Sequence, residues 1–236
     1  MPLAGAALAG LVYVGAWIVG LAIWPSNVAI TDSSREVVNV YGTHRTVGVA
    51  QFLLVEGVAA LALVFVLVAV ARAAGHAGAV APSRIILGAG VAACLVSVAE
   101  GVLGVLLVTS LASPAHVSRA GEVFDAINRL DGVKMVLLAA VITTATLARR
   151  ELGLPRWLSA AGVMASLALV ASGVGYLALD GALASAAFVS LPLLLIWVSG
   201  TGVALGRREA KDAAAGSPGS APVVPALVRG GLRGRG

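Results

Sequence analysis

Apolar residues along this chain of 236 residues gather in six long runs, and most polar residues lie between them. A helix needs about 20 largely apolar residues to cross roughly 30 Å of hydrocarbon, and the runs are close to that length or longer. They lack the alternation of apolar and polar positions that membrane β-strands show. The pattern predicts an all-α, polytopic membrane helix bundle with six transmembrane helices, at residues 4–24, 47–71, 85–111, 132–148, 158–179 and 183–205.

The composition excludes an ordinary soluble domain. Hydrophobic residues make up 59% of the chain and charged residues 11%, whereas soluble domains carry about 25% charged residues. A soluble fold of this length has too small an interior for so many apolar side chains. The lipid bilayer is therefore the first partner that the sequence predicts.

Basic residues are distributed unevenly between the two sides of such a bundle. If both termini are inside, the inner segments carry 11 of the 16 basic residues and the outer segments carry five. This excess predicts an N-in and C-in topology. The net charge of +5 follows mainly from the same bias, so we expect no nucleic-acid partner. The inner set is Arg72, Arg84, Arg149, Arg150, Arg156, Arg207, Arg208, Lys211, Arg229, Arg233 and Arg235.

The composition changes after the sixth run. Residues 1–206 hold all six runs and are predicted to form one six-helix transmembrane domain. Residues 207–236 are rich in Gly, Pro, Ser and Arg, which predicts a disordered basic cytoplasmic tail. The tail ends in RGGLRGRG, a composition that also suits contact with anionic lipid headgroups or RNA.

Two glutamates interrupt otherwise apolar runs, and a glycine follows each of them. Glu56 lies 16 residues before Arg72, and Glu100 lies 16 residues after Arg84. If both arginines mark the inner interface, each carboxyl stands about 24 Å from it along its helix axis. The two runs are antiparallel, so the carboxyls are predicted to share one depth. The glycines are predicted to let a neighbouring helix, a water or a ligand approach them.

A lysine in the fourth run lies at nearly the same depth. Lys134 is 15 residues before Arg149, or about 22 Å from the same interface. Asp131 is three residues earlier and shares its helical face. A charge at the bilayer centre costs about 2.5 to 3.5 kcal/mol on insertion scales, so such groups normally face the bundle interior and find partners. We predict an intramembrane polar cluster of Glu56, Glu100, Lys134 and Asp131 in the outer half of the bilayer.

Such a cluster has two interpretations that the sequence leaves open. It can be a polar clamp that fixes the register of antiparallel helices. It can also bind a proton, an ion or a small molecule, because the carboxylates outnumber the ammonium and leave an excess acid that a proton can neutralise.

No motif in the chain predicts catalysis. His44, His76 and His116 all lie in predicted loops, which leaves no pair of intramembrane imidazoles for a b-type haem. There is no CxxC motif and no Walker or dinucleotide-binding loop. We therefore predict no cofactor, no metal site and no catalytic residue, and an enzyme is the least favoured of the function classes.

Two resemblances follow from the whole-chain pattern. With LPRWL at residues 154–158 and LLLIWVSG at residues 193–200, the chain resembles six-helix integral membrane proteins of bacteria that belong to families of unknown function. This resemblance implies a bacterial cytoplasmic membrane and no assigned activity. The chain also resembles the membrane substrate-binding subunits of energy-coupling-factor vitamin transporters, which have six helices, both ends inside and an outward-facing site. Their first span usually carries AxxxA docking motifs, and here Ala6 pairs with Gly10 instead.

We therefore expect a multi-pass membrane protein with an accessory or interaction role. Its expected protein partner is an unidentified membrane protein or a second copy of the chain. The alternative is a small transporter, or a solute- or proton-binding membrane component, in which Glu56 and Glu100 act with Lys134.

Overall fold

The structure is a computed structural model that describes residues 4–24 and 28–216. These residues contain helices and no strand, and six helical stretches among them are long and apolar enough to cross a membrane. The predicted all-α bundle with six candidate spans is thereby confirmed, whereas the N-in and C-in orientation stays a prediction. We call the stretches spans 1 to 6, which are Gly5–Ile23, Arg45–His76, Val80–Leu111, Pro114–Leu147, Arg156–Ala178 and Gly181–Arg208.

Two of the spans combine α-helix with π-helix. In span 2 the π-helical stretch Leu53–Ala59 joins two α-helical parts, and in span 3 the stretch Leu107–Leu111 ends the helix. Span 4 begins with the 3₁₀ turn Pro114–His116. The α-helices are Ala4–Ile23, Ser34–Thr43, Arg45–Phe52, Ala60–His76, Val80–Leu106, Val117–Leu147, Arg149–Leu152, Arg156–Ala178, Gly181–Ala184 and Ala187–Gly216.

The last helix extends beyond the predicted end of the transmembrane domain. It runs to Gly216, ten residues past residue 206, where the sequence predicts the start of a disordered tail. The rest of that tail, residues 217–236, lies outside the described residues. The division of the chain at residue 206 stays a prediction.

The spans form a closed ring in chain order. Each span packs against the next one along the chain, and span 6 returns to pack against span 1. Spans 4 and 5 come especially close at two glycines, since a Cβ on Gly132 would lie 2.7 Å from the carbonyl oxygen of Gly173. Small residues allow such close backbone contact between membrane helices. The ring encloses an apolar core to which all six spans contribute.

The two ends of the bundle differ in character. At the end we call the arginine end, Arg72, Arg84, Arg149 and Arg156 lie where span 2 meets span 3 and span 4 meets span 5. At this end the Arg208 Nη1 atom donates to the carbonyl oxygen of Glu151 over 3.2 Å.

The opposite end is covered by the helix Ser34–Thr43, and we call it the capped end. The buried side of this helix packs on residues of spans 2, 3 and 4, and together they form an apolar cap. The cap consists of the buried residues Val37, Val38, Tyr41, Phe52, Leu107, Val108, Ala112, Ala120 and Phe124. The Tyr41 ring is central, with its centroid 5.1 Å from that of Trp24, 6.1 Å from Phe52 and 6.3 Å from Phe124. Burial in this cap raises the pKa of the Tyr41 hydroxyl well above its usual value.

Candidate functional site

The Lys134 ammonium is the centre of a buried polar cluster. Its Nζ atom lies 3.0 Å from both carboxylate oxygens of Glu56 and 2.8 Å from Asp131 Oδ1, and it also donates to Glu100 Oε2. The structure therefore brings together all four residues that the sequence placed at one depth. We call these four residues the Glu/Lys cluster.

Three adjacent spans supply these side chains. Glu56 comes from the π-helical stretch of span 2, Glu100 from the α-helical part of span 3, and Asp131 and Lys134 from span 4. Asp131 and Lys134 are three residues apart, so they lie on one face of their helix. π-helical turns are rare and occur frequently at functional sites, and here one of them carries a cluster residue.

Three of the four side chains are removed from the lipid and from water. Glu100 is 1% exposed, Lys134 7% and Glu56 9%. The Asp131 side chain, at 24% exposure, is the most accessible member. The charges thus face the bundle interior, as their cost in hydrocarbon requires, and Asp131 lies at the edge of the cluster.

The hydrogen bonds of the cluster leave one carboxylate oxygen without a partner. An ammonium has three N–H donors, and those of Lys134 are directed at three carboxyl groups. Among the described residues, Glu100 Oε1 is buried and has no hydrogen-bond partner. A buried polar atom without a partner is costly. This oxygen is therefore the unsatisfied acceptor of the cluster.

Gly101 and Gly57, the glycines beside the two glutamates, differ in their surroundings. A Cβ on Gly101 would lie 3.2 Å from the Glu56 Cβ, so this glycine does allow spans 2 and 3 to approach at the cluster. A Cβ on Gly57 would have no atom within 4 Å. A neighbouring helix therefore approaches closely at Gly101, whereas Gly57 faces open space; the approach of a water or a ligand there stays a prediction.

Phe52 separates the Glu/Lys cluster from the capped end. Phe52 is one helical turn from Glu56, and a Cβ on Gly104 of span 3 would overlap its ring. Gly104 in turn lies one turn beyond Glu100 on span 3. The ring therefore packs against span 3 one turn from Glu100 and belongs to the apolar cap.

Two further side chains with polar groups are buried in the core of the bundle, and the sequence did not identify them as candidates. They are Tyr13 of span 1 and Cys94 of span 3. Tyr13 is buried, at 3% exposure, although it lies in an otherwise apolar run. A phenol within such a run is the signal by which Tyr13 could have been found.

Among the described residues, no group of three His, Cys, Asp or Glu side chains is placed to hold a metal ion. The three carboxyl groups of the Glu/Lys cluster converge on an ammonium instead. The chemistry available to such an arrangement of acids around one base is the binding and release of a proton.

Comparison with protein-family models, curated proteins and solved structures finds no match to this chain. The resemblances drawn from the sequence therefore stay predictions. The fold and the cluster geometry describe a protein with six candidate membrane spans and three acids, two of them buried, around one buried lysine.

Proposed function

We propose that this protein binds and releases a proton at the Glu/Lys cluster and acts as a small transporter or solute-binding component of the membrane. The observation that carries the proposal is the ratio of charges. Three carboxyl groups contact one ammonium, and Glu100 Oε1 is left without a partner among the described residues.

The charge balance explains why a proton belongs there. If all four groups were ionised, three negative charges would face one positive charge in a region from which water is largely excluded. Buried excess charge is neutralised by proton uptake rather than tolerated. Carboxyl groups that share one site share its protons as a set, so the proton is assigned to the cluster as a whole.

The accessory role expected from the sequence is the alternative, and in it the cluster only holds spans 2, 3 and 4 in register. A clamp of that kind is complete with one carboxylate for each ammonium. The additional acids and the π-helical turn at Glu56 are not needed for it. They favour a site whose protonation changes during function.

Infrared difference spectroscopy of the purified protein in lipid nanodiscs tests the proton site. A protonated carboxylic acid has a C=O stretching band that disappears on ionisation. We expect such a band in the unmodified protein, its disappearance as the pH rises, and its loss or displacement in Glu100→Gln. Glu122→Gln is the matched control, because Glu122 is an exposed acid on span 4. If Glu56→Gln and Glu100→Gln leave the titrating bands unchanged, the proton-binding proposal is wrong.

Proteoliposomes test the transport part separately. The liposomes contain a pH-sensitive dye, and a membrane potential is imposed across the bilayer. We expect the unmodified protein to acidify the lumen. For Glu100→Gln we expect a rate of acidification close to that of empty liposomes. Equal rates for both proteins would contradict transport through the cluster and would leave the accessory role as the better account.

The proposal also covers the membrane in which the protein lies and its orientation there. The resemblance of the sequence to six-helix bacterial membrane proteins supports a bacterial cytoplasmic membrane. The predicted excess of basic residues on one side supports a topology with both termini on the cytoplasmic side. The arginine end is then the cytoplasmic end, and the Glu/Lys cluster lies nearer the opposite surface.

A further inference from the structure

A groove runs along the surface between spans 1 and 2 and ends at two basic side chains. Its volume is about 890 Å³. Leu8 and Val12 line it from span 1, and Leu61 lines it from span 2. At the arginine end the lining is completed by Arg72 and His76. The Glu/Lys cluster does not contribute to this groove.

The span 2 wall is a single helical stripe that changes from apolar to basic. Leu61 and Phe65 are four residues apart, and both are exposed at the surface that would face lipid, at 65% and 46%. Residues at this spacing lie on one face of a helix. Arg72 and His76 continue the same stripe and line the same groove.

The groove is deeper than one lipid leaflet. Val58 lines it 14 residues before Arg72, a separation of about 21 Å along the helix, whereas half of the roughly 30 Å hydrocarbon core is about 15 Å. If Arg72 lies at the membrane interface, the apolar part of the groove reaches the bilayer midplane. The acyl chain of a phospholipid whose headgroup lies at the interface extends in the same direction, from the interface towards the midplane.

The basic end has further features that suit a headgroup. A second hollow of about 430 Å³ shares Arg72 and His76 with the groove and is also lined by Ser83 of span 3. Arginine matches the geometry of a phosphate with two parallel hydrogen bonds. Basic pockets between transmembrane helices are known places for acidic lipid headgroups.

We propose that the groove holds an acyl chain of an anionic phospholipid whose phosphate binds Arg72 and His76. The charge of the basic end is complementary to such a lipid. A transmembrane helix of a partner would be about 10 Å wide and would gain nothing from a basic end unless it carried an acid there. The proposal does not depend on the proton chemistry of the Glu/Lys cluster.

Native mass spectrometry of the detergent-solubilised full chain tests the proposal. The probes are phosphatidylglycerol and phosphatidylcholine with identical acyl chains. We expect phosphatidylglycerol to be retained in preference, and the double variant Arg72→Gln with His76→Gln to bind it about fivefold less tightly or weaker still. Arg84→Gln is the matched control, because Arg84 is exposed at the same end but does not line the groove.

A second variant tests the acyl chain itself. Ala69→Leu adds bulk to the groove wall and should weaken retention of both lipids while leaving the basic residues in place. Circular dichroism melting checks that each variant remains folded. Equal binding of the two lipids by the unmodified protein would overturn the proposal. So would a homodimer that Ala69→Leu dissociates, because the groove would then be occupied by a second copy.

Discussion

Individual residues decide whether the buried charges are tolerated. Lys134 supplies the ammonium for three carboxyl groups, so the cost of burying Glu56, Glu100 and Asp131 depends on this one side chain. Removing one partner of a buried ion pair leaves an uncompensated charge and is far more costly than replacing the whole pair. The four residues are therefore unequal in their expected effect on stability.

Lys134→Met should destabilise the protein strongly, by about 3 to 5 kcal/mol, because it leaves the buried acids Glu56 and Glu100 without a base. Glu100→Gln should cost much less, since it removes one of the excess acids and keeps a similar shape. Chemical denaturation of the two variants in mixed micelles measures both effects. A free energy of unfolding for Lys134→Met within about 1 kcal/mol of the unmodified value would contradict the central role of the ammonium.

The four cluster residues were predictable from the sequence, but their local backbone was not. Charges in apolar runs are conspicuous, and the fixed rise of a helix converts the distance of each from an arginine into a depth. The π-helical turn at Glu56 depends on contacts with other spans, for which a single run of sequence carries no signal. The rotation of span 1 that buries Tyr13 in the core depends on the same contacts.

At the scale of helices, close packing is concentrated where small residues face each other. A Cβ on Gly173 would lie 3.0 Å from the carbonyl oxygen of Gly132, and the reverse contact is closer still. Span 4 carries Lys134 two residues from Gly132. The packing of spans 4 and 5 therefore helps to set the position of the ammonium.

Gly132→Ala should destabilise the bundle by about 1 to 3 kcal/mol, because its Cβ would meet backbone atoms of span 5 that cannot move independently. Gly88→Ala on span 3 is the control. A Cβ there meets no atom within 4 Å, and alanine favours helix over glycine, so the change should be neutral or slightly stabilising. Thermal unfolding of the two variants compares them, and equal shifts would contradict a tight contact between spans 4 and 5.

The helix Ser34–Thr43 was not predicted, although its first turn carries a recognisable signal. The Ser33 hydroxyl accepts a hydrogen bond from the Glu36 backbone N–H over 3.3 Å. Serine followed three residues later by glutamate is a capping-box pattern. The order of the spans around the ring could not be predicted, because no pattern in the sequence indicates that span 6 packs against span 1.

At the scale of the whole molecule, the two ends of the bundle differ in character. Within the part of the chain that the structure describes, the arginine end carries most of the basic side chains, and the capped end is closed by an apolar cap and a short helix. Arg45 reinforces the capped end, because its Nη2 atom donates to the carbonyl oxygen of Ala112 over 3.0 Å. The orientation of this asymmetric bundle in the membrane determines which side of the membrane the Glu/Lys cluster lies nearer to.

Cysteine labelling of intact bacterial cells should show that the capped end faces outward. We expect Ser118→Cys, at an exposed position of the capped end, to react with a membrane-impermeant maleimide. Ala81→Cys, exposed at the arginine end, should react only after the cells are permeabilised. The native Cys94 is buried and serves as the background. The reverse labelling pattern would mean that the predicted topology is inverted.

The origin of the Lys134 partners in different spans has a consequence for biogenesis. The chain is synthesised from its N-terminus, so the hairpin of spans 2 and 3 leaves the ribosome before span 4, which carries the base that both glutamates require. Until span 4 arrives, the hairpin contains two acids without a counter-charge. The nascent hairpin must therefore carry those acids as neutral protonated groups, or remain in contact with water in the insertion machinery, until Lys134 enters the bilayer.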